Sequence, residues 1–210
     1  MTRIQNESLD VLRESVSKRL SDYRFKHTLG VEKMAILLGE ACLPDKIAEL
    51  RAAALLHDIA KELDSDETLM AIEADCFSLT KEDRLSGAIL HSFAAPYLIK
   101  RDYPQFATAD VLSACRNHTV GKPYMSIFDQ IIFISDFIEE GRLYESSKTV
   151  RDMILPSLKI GDVKKNCEVL FRAVYESLKL TESHLRSTGR FLNSRMLQTK
   201  KSFSGKQFTF

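Results

Sequence analysis

The stretch AALLHDIAK, residues 53–61, decides the fold because it reads as the inner end of an apolar helix that ends in charged and polar residues. Around it, apolar residues recur at helical spacing, and no sustained alternation of apolar and polar residues indicates a strand. The segment upstream shows the same three-and-four spacing, at Arg24, His27, Thr28, Val31, Ala35, Leu38 and Cys42. The sequence therefore predicts an all-α fold.

The remaining helices are predicted from periodicity and from start signals. A helix that opens near Asp45 should run through the quoted stretch as far as Lys61, and Ser126 with Asp129 forms a capping-box pattern at the start of another. A further helix should begin at Ser146 or Ser147. Apolar stripes predict three more, across 81–100, across 107–118, and around Cys167, Leu170, Phe171, Val174 and Leu178.

The chain length of 210 residues suits one domain with a substantial core and leaves little room for a second. We predict a single compact bundle over residues 1–192. After Leu192, basic and polar residues interrupt the periodicity. Residues 193–210 are expected to form a C-terminal tail that is either flexible or docked through its phenylalanines.

The charge balance excludes some classes of partner. Thirty basic side chains stand against twenty-nine acidic ones, so the protein lacks the overall positive field of a nucleic-acid-binding protein. No apolar run approaches the roughly 18 residues of a membrane span. We therefore expect no nucleic-acid partner, no membrane partner and a cytoplasmic location. The four cysteines are widely spaced, which indicates reduced and mostly buried thiols.

Asp136 lies within the apolar run IIFISDFI, where an unpaired buried carboxylate would cost several kcal/mol. Two interpretations stay open, a salt bridge to Arg24 or Arg142 and a metal ligand. The histidines favour the second interpretation. Four of the five fall on inward stripes of different predicted helices, and neutral imidazoles with carboxylates are ligands for transition metals. These four are His27, His57, His91 and His118.

Neighbouring helical residues point about 100° apart, so His57 and Asp58 cannot chelate one ion as a pair one turn apart would. They can instead serve two ions, with Asp58 bridging from the first to the second. His27 and Asp136 are the ligand types needed to complete the first site. The second site would be completed by His91 and His118.

This ordered pattern resembles the HD-domain metal-dependent phosphohydrolases: a histidine at 27, the HD pair at 57 and 58, and an aspartate at 136. The segments RFKHTLGV, NHTVGKPYMS and DQIIFISDFIEEGR extend the resemblance to the YqeK family, the symmetrical bis(5′-nucleosyl)-tetraphosphatases, over roughly residues 20–190. That resemblance implies hydrolysis of diadenosine tetraphosphate to two ADP at a two-metal centre, usually of iron. The ligand set would also accept manganese, cobalt or zinc.

Asp58 and Lys61 are the predicted catalytic residues, because Lys61 lies one turn beyond the HD pair and its ammonium can reach a phosphate oxygen. A solvated lysine at a helix C-terminus is the alternative. The other candidate substrate contacts are cationic side chains near the ligands and a loop that offers a hydroxyl, backbone N–H groups and a charge. They are Arg24, Arg142, Thr119, Gly121 and Lys122.

Other functions fit parts of the same pattern. Metal ligands do not select the leaving group, so an HD hydrolase of a nucleoside monophosphate, a deoxynucleotide or guanosine tetraphosphate stays open. A noncatalytic nucleotide-binding helical module would use the histidines as core hydrogen bonders. The partner expected in either case is a small nucleotide, and a homodimer is left open.

Overall fold

The computed structural model describes residues 6–204, and all regular structure within them is helical, so the predicted all-α class is confirmed. Four short 3-10 turns accompany the helices, at Pro44–Lys46, Gly87–Ile89, Pro104–Phe106 and Leu155–Ser157. The helices are α1 (Asn6–Ser17), α2 (Asp22–Cys42), α3 (Ile47–Leu56), α4 (Ser65–Ala74), α5 (Lys81–Leu85), α6 (Leu90–Asp102), α7 (Ala109–Asn117), α8 (Ile127–Ile138), α9 (Glu145–Ile154), α10 (Val163–Ser187) and α11 (Ser194–Phe203).

Helix α3 lies at the centre of the core and packs against α1, α2, α7 and α8. Its residues from Ala52 to Leu56 are all fully buried, which is typical of a helix that is apolar on every side. Gly39 of α2 lets the two backbones approach, because a Cβ there would lie 2.7 Å from Cδ1 of Leu50. The two helices that carry the first half of the sequence pattern are thereby held in close contact.

Several predicted boundaries change in the structure. Helix α3 ends at Leu56, and His57 to Lys61 continue it only as hydrogen-bonded turns, with Lys61 N donating to Asp58 O at 2.9 Å. The predicted helix across 81–100 is two helices, because the chain leaves helical geometry at Ser86. Helix α9 begins at Glu145, one residue before the earliest predicted start.

Other predicted boundaries are found where the sequence places them. The side chain of Ser126 accepts a hydrogen bond from Asp129 N, and the carboxylate of Asp129 accepts one from Ser126 N, so the capping box is confirmed. Helix α10 carries the predicted stripe from Cys167 to Leu178. Among the described residues, no helix has both the length and the apolar character needed to span a membrane.

The C-terminal segment from Asn193 to Ser204 lies against the body of the protein, and its helix α11 packs on α10. Arg195 donates to both carboxylate oxygens of the buried Asp83, with its Nε 3.0 Å from each. Phe203 packs against Phe171, with ring centroids 4.6 Å apart. Up to residue 204, these contacts match the expectation of a C-terminal tail that is docked and not the expectation of a flexible one. The proposed division at residue 192 stays a prediction, and Phe208 and Phe210 lie outside the described residues.

Candidate metal centre

The six predicted ligand side chains come from five helices or their ends and face one another. His27 lies within α2, His57 and Asp58 follow α3, and His91 lies in the first turn of α6. His118 caps the C-terminus of α7, and Asp136 lies in the last turn of α8. Five of them are buried and Asp136 is partly buried. Residues separated by up to about 110 positions in sequence therefore meet at one place.

A first group of donors surrounds Oδ2 of Asp58 and Oδ1 of Asp136. Nε2 of His27 lies 3.0 Å from Asp136 Oδ1 and 3.7 Å from Asp58 Oδ2. Nε2 of His57 lies 3.6 Å from Asp58 Oδ2 and 3.9 Å from Asp136 Oδ1. Ligands held about 2.0–2.2 Å from one ion lie on the order of 3–3.6 Å from each other. These separations fit a single shared ion with little rearrangement.

A second group of donors surrounds the other oxygen of Asp58. Asp58 Oδ1 lies 3.1 Å from Nε2 of His91 and 3.5 Å from Nε2 of His118. The two imidazole nitrogens are themselves 3.1 Å apart. Asp58 therefore takes part in both groups, one oxygen to each, as a bridging carboxylate would.

The other ring nitrogens are held by hydrogen bonds that orient the imidazoles. Nδ1 of His57 donates to Ala54 O at 2.6 Å, and Nδ1 of His118 donates to Cys115 O at 2.7 Å. Nδ1 of His27 lies 3.1 Å from Oε1 of Glu139. A proton on Nδ1 leaves the Nε2 lone pair free, which is the tautomer that metal-ligating histidines adopt.

Glu139 contacts His27 of the site and was not predicted from the sequence. Its carboxylate accepts a hydrogen bond from Gly141 N at 2.6 Å and fits beside Gly30 of α2. A Cβ at Gly30 would lie 2.5 Å from Glu139 Oε2, so only glycine leaves room for this carboxylate next to His27. The available signal was its position three residues after Asp136, which places it on the same side of the chain one turn later.

Two buried nitrogens test whether the site suits a metal ion. Within the described residues, Nε2 of His27 and Nε2 of His57 are buried and make no hydrogen bond. Native structures rarely contain a buried polar atom without a partner, because such an atom costs free energy. A cation among these donors would satisfy both atoms, so the residues present fit a divalent transition metal.

The electrostatics of the site favour ionised carboxylates and neutral imidazoles. Burial alone would raise the pKa of Asp58, but His57, His118 and His91 outweigh it and hold that pKa well below its usual value. Burial lowers the pKa of His57 and of His91 to about 4. These are the protonation states in which both residue types bind metals.

His27 differs from the other histidines in its charge environment. Burial would lower its pKa, but the nearby carboxylates of Asp136 and Glu139 outweigh burial and raise the pKa of His27 to about 9. In the metal-free protein, the positive imidazole of His27 therefore balances part of the negative charge of the first donor group. A bound cation would replace that proton.

Arginine and lysine side chains flank both donor groups. The two interpretations of Asp136, as a salt-bridge partner and as a metal ligand, are therefore compatible. Arg142 Nη2 lies 2.6 Å from Asp136 Oδ1, and Arg24 Nη1 lies 2.8 Å from Asp58 Oδ2. Lys61 Nζ lies 3.3 Å from both ring nitrogens of His91, and burial lowers its pKa. Asp136 thus has a salt bridge and also faces the histidines. The solvated alternative for Lys61 does not match its partly buried position.

A cavity of about 760 Å³ opens onto these donors. Arg24, Lys61, Thr119 and Arg142 all line it, together with the metal donors Asp58, His91, His118 and Asp136. Thr119 is held in place by Ser92, since their hydroxyl oxygens are 2.9 Å apart. The cavity volume lies in the upper part of the range of about 300–1,000 Å³ that small-molecule sites occupy.

Two of the predicted substrate contacts lie elsewhere. Lys122 bonds Ser113 Oγ at 2.6 Å and pairs with Asp129 at 3.0 Å, and it does not line the cavity. Gly121 has a φ of +68° and faces Thr199 of α11. The loop from His118 onward therefore acts at this point as a turn that supports α11, and we leave both residues out of the proposed substrate contacts.

Comparison with known proteins shows the family to which this chain belongs. The model of the HD domain matches residues 24–155, a range that includes all six donors. The chain belongs to the HD-domain family. The recognition of the ordered histidine and aspartate pattern from sequence is therefore confirmed.

Relatives within this family share most of the chain. The symmetrical bis(5′-nucleosyl)-tetraphosphatase of Halalkalibacterium halodurans is 33% identical over 138 residues, which are 65% of this chain and 71% of the relative. The protein of the same name from Bacillus subtilis is 32% identical over 139 residues, 66% and 73% of the two chains. A crystal structure of a predicted HD superfamily hydrolase involved in NAD metabolism from Clostridium acetobutylicum superposes with a TM-score of 0.78. It is 28% identical and covers 92% of this chain and 95% of that one. The identification as a hydrolase with an HD-domain fold is supported by sequence and by structure.

Proposed function

We propose that this protein hydrolyses diadenosine tetraphosphate symmetrically and releases two molecules of ADP. The observation that carries the proposal is the pair of donor groups that share Asp58 at the inner end of the cavity. The names of the relatives support the substrate, since two symmetrical bis(5′-nucleosyl)-tetraphosphatases align over about two-thirds of this chain. A nucleotide substrate is also consistent with the cytoplasmic location expected from the sequence.

Two divalent ions would be held by the two donor groups. His27, His57, Asp58 and Asp136 would hold the first, and Asp58, His91 and His118 would hold the second. Such ions supply Lewis acidity, which makes a nucleophile of water near neutral pH and offsets negative charge on the phosphoryl group. Iron is our proposal for the metal, with manganese, cobalt or zinc as alternatives that the same nitrogen and oxygen donors accept.

The chain's own residues supply the positioning. Asp58 is oriented by Arg24, and Asp136 by Arg142 through both its carboxylate and its backbone carbonyl, which accepts from Nε at 3.1 Å. The guanidinium groups have further N–H donors that point at no carboxylate and can bind nonbridging phosphate oxygens. Lys61 adds an ammonium beside His91, where the charge of a departing nucleoside diphosphate needs stabilisation. Thr119 offers a hydroxyl on the same wall.

Product analysis tests the reaction directly. Metal-depleted protein is resupplied with one ion at a time, incubated with diadenosine tetraphosphate, and the nucleotides are separated by chromatography. We expect ADP as the only product. A mixture of AMP and ATP would contradict symmetrical cleavage. Faster turnover of guanosine tetraphosphate or of a nucleoside monophosphate in the same panel would favour the alternative HD hydrolases, and no turnover of any nucleotide would favour a noncatalytic binding module.

Metal content tests the donor groups independently of activity. We expect close to two transition-metal ions per chain by elemental analysis, and loss of most of the metal in His57→Ala and in Asp58→Ala. His184→Ala is the matched control, because His184 is the one histidine outside the donor groups and is exposed. Equal metal content in His57→Ala and in the control would contradict the assignment of His57 as a ligand.

A further inference from the structure

Part of the cavity wall comes from the C-terminal third of the chain, away from the metal donors. This part, which we call the C-terminal rim, consists of Leu178, Thr181, His184, Arg190 and Met196. Tyr144, at the start of α9, lines the same cavity. None of these residues is a metal donor or contacts one through a side-chain hydrogen bond in the described part of the chain. The rim therefore lies outside the two donor groups.

Arg190 is held at the rim by the way α10 ends. Gly189 has a φ of +64°, Gly189 N donates to Arg186 O at 3.3 Å, and Arg190 N donates to Leu185 O at 2.9 Å. These two bonds form the helix-ending arrangement in which a left-handed glycine reverses the chain. The backbone of Arg190 is thus fixed while its side chain extends along the cavity wall.

The guanidinium of Arg190 has no ion-pair partner among the described residues. Four cationic side chains of lysine or arginine line the cavity, and three of them already contact the metal donors: Arg24, Lys61 and Arg142. Among the described residues, Arg190 forms no side-chain hydrogen bond or ion pair, and it is exposed. A guanidinium on a cavity wall, free of a carboxylate, is suited to bind two oxygens of a phosphate through two of its N–H groups.

Tyr144 supplies a different kind of contact. Its side chain is 69% exposed although it lines the cavity, and Phe137 and Met196 add apolar surface to the same lining. Exposed aromatic rings in nucleotide-binding proteins stack on bases and strengthen binding. The cavity wall outside the two donor groups therefore offers one contact for phosphate, Arg190, and one for a base, Tyr144.

We propose that Arg190 and Tyr144 bind the half of the dinucleoside tetraphosphate that extends beyond the metal centre, Arg190 through a phosphate and Tyr144 by stacking on the base. This inference rests on the proposed function. Symmetrical cleavage requires the central phosphoric anhydride to lie at the metals, so a complete nucleoside diphosphate must extend to each side. Arg190 and Tyr144 are positioning residues for one of these halves and determine the preference for a substrate with two nucleosides.

The experiment compares steady-state kinetics of the metal-loaded full-length protein with diadenosine tetraphosphate. Arg190→Gln and Tyr144→Ala are expected to raise KM about tenfold each while kcat stays within about twofold, since each loses one ground-state contact. Arg190→Lys should recover part of the loss because the charge stays. Tyr144→Phe should keep the wild-type KM because stacking needs the ring and not the hydroxyl.

A matched control is Arg186→Gln, since Arg186 lies on the same helix end, is exposed, pairs with Glu182 and does not line the cavity. It should show wild-type kinetics. Wild-type KM in both Arg190→Gln and Tyr144→Ala would overturn the inference, as would a fall in kcat at unchanged KM. A wild-type enzyme that releases no ADP would instead overturn the proposed function and the inference with it, so the two failures are distinguishable.

Discussion

Gly121 lies in the loop after His118, at the point where this loop contacts α11. The free energy of unfolding that is lost when Gly121 is replaced by alanine can be worked out from its contacts. A Cβ at this position would lie 2.5 Å from Cγ2 of Thr199, well inside van der Waals contact. Thr199 is fully buried, and its hydroxyl donates to Arg195 O at 2.9 Å, so it cannot turn away without losing that bond. Sulfur Sδ of Met125 lies 3.3 Å from the same Cβ.

Two penalties add in Gly121→Ala. The left-handed backbone conformation, with φ of +68°, costs a residue with a Cβ about 1–2 kcal/mol. Overpacking against a buried side chain costs about 1–3 kcal/mol more. The free energy of unfolding should therefore fall by about 2–5 kcal/mol, a large part of the roughly 5–15 kcal/mol that stabilises a domain.

Urea denaturation of three single variants and one double variant separates these penalties. Gly161→Ala is the matched control, because Gly161 has a φ of +78° and open space where a Cβ would lie, so only the conformational cost of about 1–2 kcal/mol applies. Thr199→Ala removes the obstructing methyl group. In that background, Gly121→Ala should cost no more than Gly161→Ala, which gives a coupling energy of at least about 1 kcal/mol. An equal cost of Gly121→Ala in both backgrounds would refute the assigned contact.

Three further predictions concern the metal donors, the thiols and pH. Asp136→Asn should keep the fold and weaken metal binding at the first donor group by about 10–100-fold, measured by metal titration, and unchanged affinity would leave Asp136 only its salt bridge. Cys76 is exposed and the other three cysteines are buried, so native protein should take up one iodoacetamide label by mass spectrometry; rapid labelling at two or more sites would contradict this burial. Burial would raise the pKa of Asp83, but hydrogen bonds, of which that from Arg195 has the largest effect, lower the pKa to about 2. The ionised carboxylate of Asp83 therefore stabilises the folded protein at pH values above its usual pKa. This stabilisation is lost as the pH falls towards 2. The stability difference between wild type and Asp83→Asn should be about 1–2 kcal/mol at neutral pH after allowance for solvent near Arg195 and shrink between pH 5 and 3, whereas a pH-independent difference would exclude the ion pair as its cause.

Local signals in the sequence were sufficient for most helices. The three-and-four spacing of α2 and the capping box of α8 depend only on neighbours within a few residues, and both predictions are confirmed. The break at Ser86 was missed because the capping box of Thr80 with Asp83 marks only the start of α5 at Lys81 and gives no signal of its end at Leu85. The start of α9 was misplaced because Tyr144 makes no side-chain capping bond and leaves no polar signal.

The convergence of the four histidines with Asp58 and Asp136 was predictable because histidines and aspartates on inward stripes have few other uses. Their supporting groups were harder to predict, since Glu139 reaches His27 across 112 positions of sequence. The same holds for α11, which depends on the long-range pairs of Asp83 with Arg195 and of Gly121 with Thr199. Such contacts depend on tertiary geometry, and a pattern read along one helix does not contain them.

The two oxygens of Asp58 face different donor groups, and this has a consequence for how the protein would load its ions. An ion that fixes the orientation of this carboxylate at the first group also presents the other oxygen to His91 and His118. Occupancy at one position would then change affinity at the other, and by thermodynamic reciprocity the effect would be equal in both directions. The two positions would be coupled through one side chain, so a substitution that weakens one donor group would also change metal affinity at the other.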